Sequence, residues 1–346
     1  MKRWQKIASG LLAFLLVAAF FLLPLPIYIE QPGSAEPLRE FVTVNHKHDQ
    51  QKGAYMLVTV GIAQATPFRW LTAHFDSFHE LVSREDLMGD QDSAVYDQMQ
   101  KYYMQSSINN AIAQAYHAAG KDYQIQFKGI YVMDILQHSN LAGKVAIGDT
   151  ITAIDGHQFT NNQGFMDYLK QKSLGTQVKV SYQHQQQAKT TTAKIIKLLD
   201  TNRHGLGITL TDRTSVKTTI PVKIDAGDIG GPSAGMMFSL QIYEQLTGNQ
   251  LRHGRKIAGT GTIAEDGTVG AIGGIDKKVV AADAAGATIF FAPDDPVTKA
   301  IKKVEPNYIN NYQTAKQAAA KIKTKMKIVP VKKFSDVIKY LETHPN

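Results

Sequence analysis

The sequence contains no cysteine. Disulfide staples, thiolate zinc sites, cysteine nucleophiles and dithiol redox chemistry are therefore excluded together, which removes a large share of enzyme classes. No Gly-x-x-x-x-Gly-Lys-Ser/Thr loop occurs either, so ATP-driven unfolding by a phosphate-binding loop is not expected of this chain. Charge is modest: 20% of residues are charged against 43% hydrophobic, far from the charge-rich composition of disorder, and most of the chain should fold. Its 346 residues suit two or three domains. The net charge of +8 is compatible with nucleic acid, anionic lipid or an anionic envelope polymer and does not choose among them.

Charged residues are missing altogether from Ile7 to Ile29, and Leu11 to Leu23 is almost wholly apolar. As a helix rising about 1.5 Å per residue, the stretch up to Pro24 covers roughly 26 Å, near the thickness of a bilayer core. A transmembrane helix is therefore expected over residues 7–29, with Pro24 and Pro26 at its exit. Lys2, Arg3 and Lys6 precede the run and Glu30 follows it. By the positive-inside rule, the stub 1–6 is cytoplasmic and everything after residue 30 is extracytoplasmic. The competing reading is a signal peptide cleaved near Gly33-Ser34-Ala35; the apolar run is longer than such segments usually are.

Residues 30–123 read as an α/β scaffold region. Ala54 to Ile62 is rich in β-formers and reads as a strand. Between Ser93 and Gly120, the residues Met104, Ile108, Ala111, Ile112 and Ala115 recur at helical spacing, and Gly120 suits a C-terminal cap. Residues 124–200 change to short strands around Leu141-Ala142-Gly143 and an alternating strand that closes on Asp155-Gly156. This pattern resembles the centre of a PDZ domain. The resemblance implies recognition of an extended peptide by strand addition to a sheet edge, with Phe127-Lys128-Gly129-Ile130 as the candidate gripping loop. The bland alternative is a PDZ-like module that only braces its neighbour.

The strongest local signal is Asp228-Ile229-Gly230-Gly231-Pro232-Ser233-Ala234-Gly235. Apolar residues at 236, 237, 240, 243 and 246, with Gly248 at the end, follow it as one buried helix. Ser233 then stands where unpaired backbone amides and a positive partial charge would favour an oxyanion. Read alone, it is as well explained as an N-cap. A second segment runs from Ile257 through Gly259-Thr260-Gly261, a hairpin at Asp266-Gly267 and a Gly273-Gly274 turn into a helix from about Asp276. Lys278 lies in the first turn of that helix. The helix dipole and burial would both pull its pKa toward neutrality, where an amine can deprotonate a serine. Lys277 is the rival; adjacent helical residues point in different directions.

Together the two segments closely resemble the proteolytic domain of the Lon family, from about Gly205 to the terminal strand 327–331 and the helix Ser335 to Leu341. The resemblance implies a serine endopeptidase in which Ser233 is the nucleophile, Lys278 the general base and Thr260 a residue that orients the amine. The acidic residue usually nearer the Gly-Pro-Ser turn is displaced to Asp228. The order of anchor, PDZ and peptidase resembles PDZ-containing Lon-like serine proteases of Gram-positive bacteria. The expected fold class is therefore α/β (α+β): an N-terminal transmembrane helix, a PDZ domain and a C-terminal Lon-type proteolytic domain at 201–346. The expected partners are exported peptides, or membrane and secreted proteins, as substrates; membrane lipid; and a homo-oligomer, since Lon-type domains commonly form rings. No nucleic acid, cofactor or metal is expected. Gly259-x-Gly261 lacks a third glycine, His46 and His48 lie in a polar stretch, and Lys316 to Lys327 reads as a solvated helix face. The alternative of a different class is a membrane-tethered PDZ scaffold whose peptidase domain is inactive.

Overall fold

A computed structural model describes residues 3–89, 91–198 and 203–345. The helices are α1 (Arg3–Leu22), α2 (Pro67–Ala73), α3 (Arg84–Met88), α4 (Ser93–Ala118), α5 (Asn162–Lys170), α6 (Gly235–Thr247), α7 (Ile275–Ala284), α8 (Lys299–Val304), α9 (Asn311–Lys321) and α10 (Phe334–Thr343). The fold is mixed α/β. Its main element is a six-stranded sheet in the order Lys327–Val331, Ile289–Pro293, Lys256–Gly259, Ala54–Gln64, Ile27–Pro37, Glu80–Ser83. The first four strands pair in parallel and the last two antiparallel.

The strand Ala54–Gln64 shows how this sheet is built. Successive side chains of a strand point to opposite faces, and here both faces are covered. Tyr55 and Leu57 join a core with Met236, Phe238 and Leu240 of α6 and Met104 and Ile108 of α4. Ala54, Met56 and Val58 join another with Ile275 and Val279 of α7 and Ala315 of α9. A strand buried on both sides reads as a continuous apolar run, which is the pattern of Tyr55-Met56-Leu57-Val58.

A five-stranded antiparallel sheet lies in the middle of the chain, in the order Ile208–Thr218, Tyr123–Ile135, Thr150–Ile154, Gln177–His184, Gln187–Lys194. It has its own core, including Ile130, Val132, Leu141, Ile151, Phe165 and Val180. Residues 208–218, expected within the peptidase region, pair along the full strand with 123–135. Conversely, strands from 27–83 and from 256–331, expected in separate regions, share one sheet. The expected boundary at 200/201 and the first two residues of the stub lie outside the described residues.

Helix α4 joins the two sheets. Asp92 caps its start by accepting from Val95 N–H, and Gly120, at φ +61°, follows its end. Tyr102 and Asn109 donate to the carbonyls of Asp212 (2.6 Å) and Thr214 (2.8 Å) on the edge strand of the five-stranded sheet. Ser107 and Asn110 donate to those of Pro232 (2.9 Å) and Ile263 (3.1 Å). The helix expected as inert scaffold thus holds the loop that carries Ser233.

The N-terminal expectation needs correction. The helix stops at Leu22, and residues 27–29 belong to the strand Ile27–Pro37, paired on both sides. The uncharged part of α1, Ile7–Leu22, rises about 24 Å at about 1.5 Å per residue. Among the described residues no helix is long and apolar enough to cross a membrane. Apolar character alone did not separate the helix from the β-strand that follows the two prolines.

Candidate active site

Ser233 lies just ahead of α6, whose N-cap is Ala234. Its hydroxyl is therefore not spent on capping. Its position is fixed through its backbone: the Ser233 carbonyl accepts from Gly261 N–H at 2.8 Å and from the Thr260 hydroxyl at 3.0 Å. Gly231 N–H donates to the Gln100 carbonyl of α4 at 3.0 Å. Close packing sets the composition of this turn. A Cβ on Gly235 would meet Ile263 Cγ2 and Ser107 Oγ, each at 2.7 Å, so no larger residue fits where α6 crosses α4.

The second segment follows its expected course. Thr262–Ile263 and Val269–Gly270 form an antiparallel hairpin across Asp266-Gly267. Gly274 is the N-cap of α7 at φ +63°, a left-handed conformation that glycine adopts without cost. Lys278 N–H makes an intrahelical bond to the Gly274 carbonyl at 3.1 Å. Its side chain runs inward, and Lys278 Nζ stands 2.6 Å from Ser233 Oγ and 3.1 Å from Thr260 Oγ1.

Lys278 is 4% exposed, and burial alone lowers its pKa from 10.5 to about 7. Lys277, the rival, points away and pairs with Glu80 at 2.7 Å. Ser233, Lys278 and Asp228 line one cavity of about 680 Å³. The strand Ala54–Gln64 contributes Thr59 and Val60, α4 contributes Met104, and Glu30 stands at the strand Ile27–Pro37. Burial raises the Glu30 pKa, against the lowering effect of Lys277.

A buried amine near neutrality, a hydroxyl within hydrogen-bond reach and a cavity for a chain make an arrangement suited to acyl transfer. Residues 149–343 match the Lon protease (S16) C-terminal proteolytic domain. The chain belongs to this family. Residues 99–195 match the PDZ domain family, so the chain joins a PDZ domain to a Lon-type proteolytic domain.

A Lon protease of Desulforamulus reducens is 43% identical over 65 residues, which is 19% of this chain and 8% of that protein. A Lon protease of Citrifermentans bemidjiense is 39% identical over 79 residues, 22% of this chain and 10% of that one. The chain therefore spans about a tenth or less of the length of these curated relatives. Among solved structures, the PDZ domain of the SdrC-like protein from Listeria monocytogenes is 33% identical, with a TM-score of 0.24, covering 25% of this chain and 92% of that domain. A second Listeria domain is 34% identical with a TM-score of 0.23, covering 25% of this chain and 87% of that one.

The gripping loop expected at Phe127–Ile130 is not a loop. Those residues lie inside the strand Tyr123–Ile135: Phe127 pairs with Thr214, and Ile130 pairs with both Asp212 and Ile151. Gly129, at φ +140°, pairs with Arg213, and Lys128 between it and Phe127 is the extra residue of a bulge. A groove of about 260 Å³ opens elsewhere, between α5 and residues 203–210. Phe165, Met166, Leu169, Leu206, Ile208 and Leu210 line it, beside the edge strand Ile208–Thr218. The signal missed in this Lon-family chain was Gly205-Leu206-Gly207-Ile208, two glycines around a leucine directly before an alternating strand. Gly207, at φ +70°, turns the chain into that edge.

Proposed function

We propose that this chain is a membrane-anchored, ATP-independent serine endopeptidase in which Ser233 attacks the peptide carbonyl and Lys278 takes its proton. The observation that carries this reading is the 2.6 Å approach of Lys278 Nζ to Ser233 Oγ by an amine held near pKa 7. At neutral pH about half of such amines are uncharged, and the Ser233 O–H donates to the free lone pair. The Ser233–carbonyl carbon bond forms as the proton passes to Nζ. Backbone amides of the turn ahead of α6 hold the oxyanion. The proton then goes to the leaving amine as the C–N bond breaks, and water, deprotonated by Lys278, releases the acyl group. Thr260 Oγ1 keeps the amine aimed.

The groove beside Ile208–Thr218 suits an extended peptide added at that edge, so exported peptides and membrane or secreted proteins are the substrates in this reading. Exposed Leu11, Phe14, Leu16 and Phe21 on α1 support an N-terminal segment buried in lipid, with the peptidase outside. A purified Ser233→Ala protein should lose cleavage of unstructured peptides and keep its fold by circular dichroism. A serine-directed covalent probe should label the native chain and not Lys278→Ala. Undiminished cleavage by Ser233→Ala would refute the assignment.

A further inference from the structure

An apolar surface outside the active site continues α1. Helix α2 buries Ala73 against Ile29, Ala65 and Leu81, and its other side is turned outward. Phe68, Leu71 and Phe75, at helical spacing, are 39%, 47% and 84% exposed, and Trp70 is 39% exposed. Large apolar side chains grouped in this way on a short helix are costly in water and mark a contact surface. The ring of Phe68 lies 4.9 Å from that of Phe21 and 6.0 Å from that of Phe20. Helix α2 therefore meets α1 in its last turn, where the chain leaves the apolar helix, opposite the end that carries Arg3 and Lys6.

We propose that α2 and the turn to Phe75 form an aromatic foot that lies in the headgroup region of the bilayer holding α1. Trp beside an apolar helix end favours that zone, where its ring is buried and its N–H stays wet, and Phe and Leu form the apolar face of helices that lie there. The proposal rests on the anchored reading above. It also sets the height of the active site. Glu30 and Ile62, paired across two strands, line the catalytic cavity. Ile27, where the same strand begins, is about 10 Å from Glu30 at about 3.3 Å per residue, and packs in the cluster that seats α2. The cavity thus opens close above the lipid surface, and the substrate class is the juxtamembrane segment of membrane-tethered chains.

The test uses the full chain carrying Trp4→Phe, which leaves Trp70 as the sole tryptophan of the two. The protein is reconstituted in phosphatidylethanolamine and phosphatidylglycerol vesicles with or without brominated acyl chains. Flotation with the vesicles, a blue shift of Trp70 emission and quenching by the brominated lipid are expected. Adding Phe68→Ser and Phe75→Ser should abolish most of the quenching while flotation persists. It should also slow cleavage of a vesicle-tethered peptide severalfold and leave cleavage of the same peptide in solution unchanged. Flotation with unquenched Trp70 overturns the foot and leaves the anchor standing. Absence of flotation overturns both. A blue shift that depends on protein concentration and ignores bromine assigns the surface to a second copy of the chain and overturns the proposal.

Discussion

Lys277 and Lys278 are consecutive residues of α7, 3% and 4% exposed, and their amines meet opposite surroundings. Burial depresses both. Around Lys277, a hydrogen bond to Glu80 and the charges of Asp276, Glu80 and Glu30 outweigh it and raise the pKa above 10.5. Among the described residues no carboxylate offsets the burial of Lys278, which stays at about 7. One lysine is a fixed cation tying α7 to the strands at 27–37 and 80–83; its neighbour is free to exchange a proton.

The first consequence is a pH profile. The base form of Lys278 is the neutral amine, so kcat/KM for an unstructured peptide should rise with pH through an inflection near 7 and fall about tenfold per unit well below it. The profile is measured on purified protein at constant ionic strength. An inflection near 10 would assign the proton transfer to an ordinary, solvated lysine.

A stability effect of opposite benefit follows from the same burial. Lys278 has a folded pKa of about 7 against about 10.4 unfolded, so the unfolded chain binds more protons between those values. Stability rises with pH across that window and is lowest, by a few kcal/mol, once pH falls to the folded pKa and below. Lys278→Met should therefore be inactive yet more resistant to urea at pH 7, with the advantage shrinking as pH approaches 10. A variant equally stable or weaker at pH 7 would contradict the unpaired burial.

Thr260 touches both Lys278 Nζ and the Ser233 carbonyl, so it acts by holding geometry. Thr260→Val should lower kcat by about 10²-fold, the cost of a small misplacement, with KM little changed. Thr260→Ser, which keeps the hydroxyl, should recover most of the loss. Equal losses in both variants would point to packing instead.

Outside the cavity lining, Arg252, Asp49, Glu244 and Tyr55 form a buried polar cluster. Arg252 pairs with Asp49 and lies 3.7 Å from Glu244, and Tyr55 donates to Glu244. Removing the cation would leave two carboxylates buried without it. Arg252→Met should cost about 3–5 kcal/mol in urea unfolding. A change under about 1 kcal/mol, the range of an exposed pair, would show that the cluster is solvated.

Much of the site was legible because it is local. The glycine turns around Ser233 and ahead of Lys278 are demanded by close approach and positive φ, and such demands leave a mark in a few consecutive residues. The helix at 93–118 was legible through its spacing and its Gly120 terminus. Three features were not. The shared six-stranded sheet depends on pairing such as Ala54 with Lys256, which no short window contains. The strand beginning at Ile27 opens with Ile27-Tyr28-Ile29, as free of charge as the helix before it, so composition merged them. The gripping loop was placed at Gly129, where glycine leaves room for the Ile151 carbonyl, while the turn at Gly205–Gly207 was read as the start of the next region.

The interleaving of the six-stranded sheet also governs when the site takes shape. Its strands at 27–37 and 54–64 wait for partners at 256–259, 289–293 and 327–331, with an entire second sheet threaded between them. Sheets closed by such distant pairing fold slowly, whereas the five-stranded sheet draws on contiguous chain and can form early. During synthesis the five-stranded sheet is ready before the cavity beside Ser233 has walls. The sheet beneath Ser233 and Lys278 is therefore complete only when the last strands arrive, a delay set by topology.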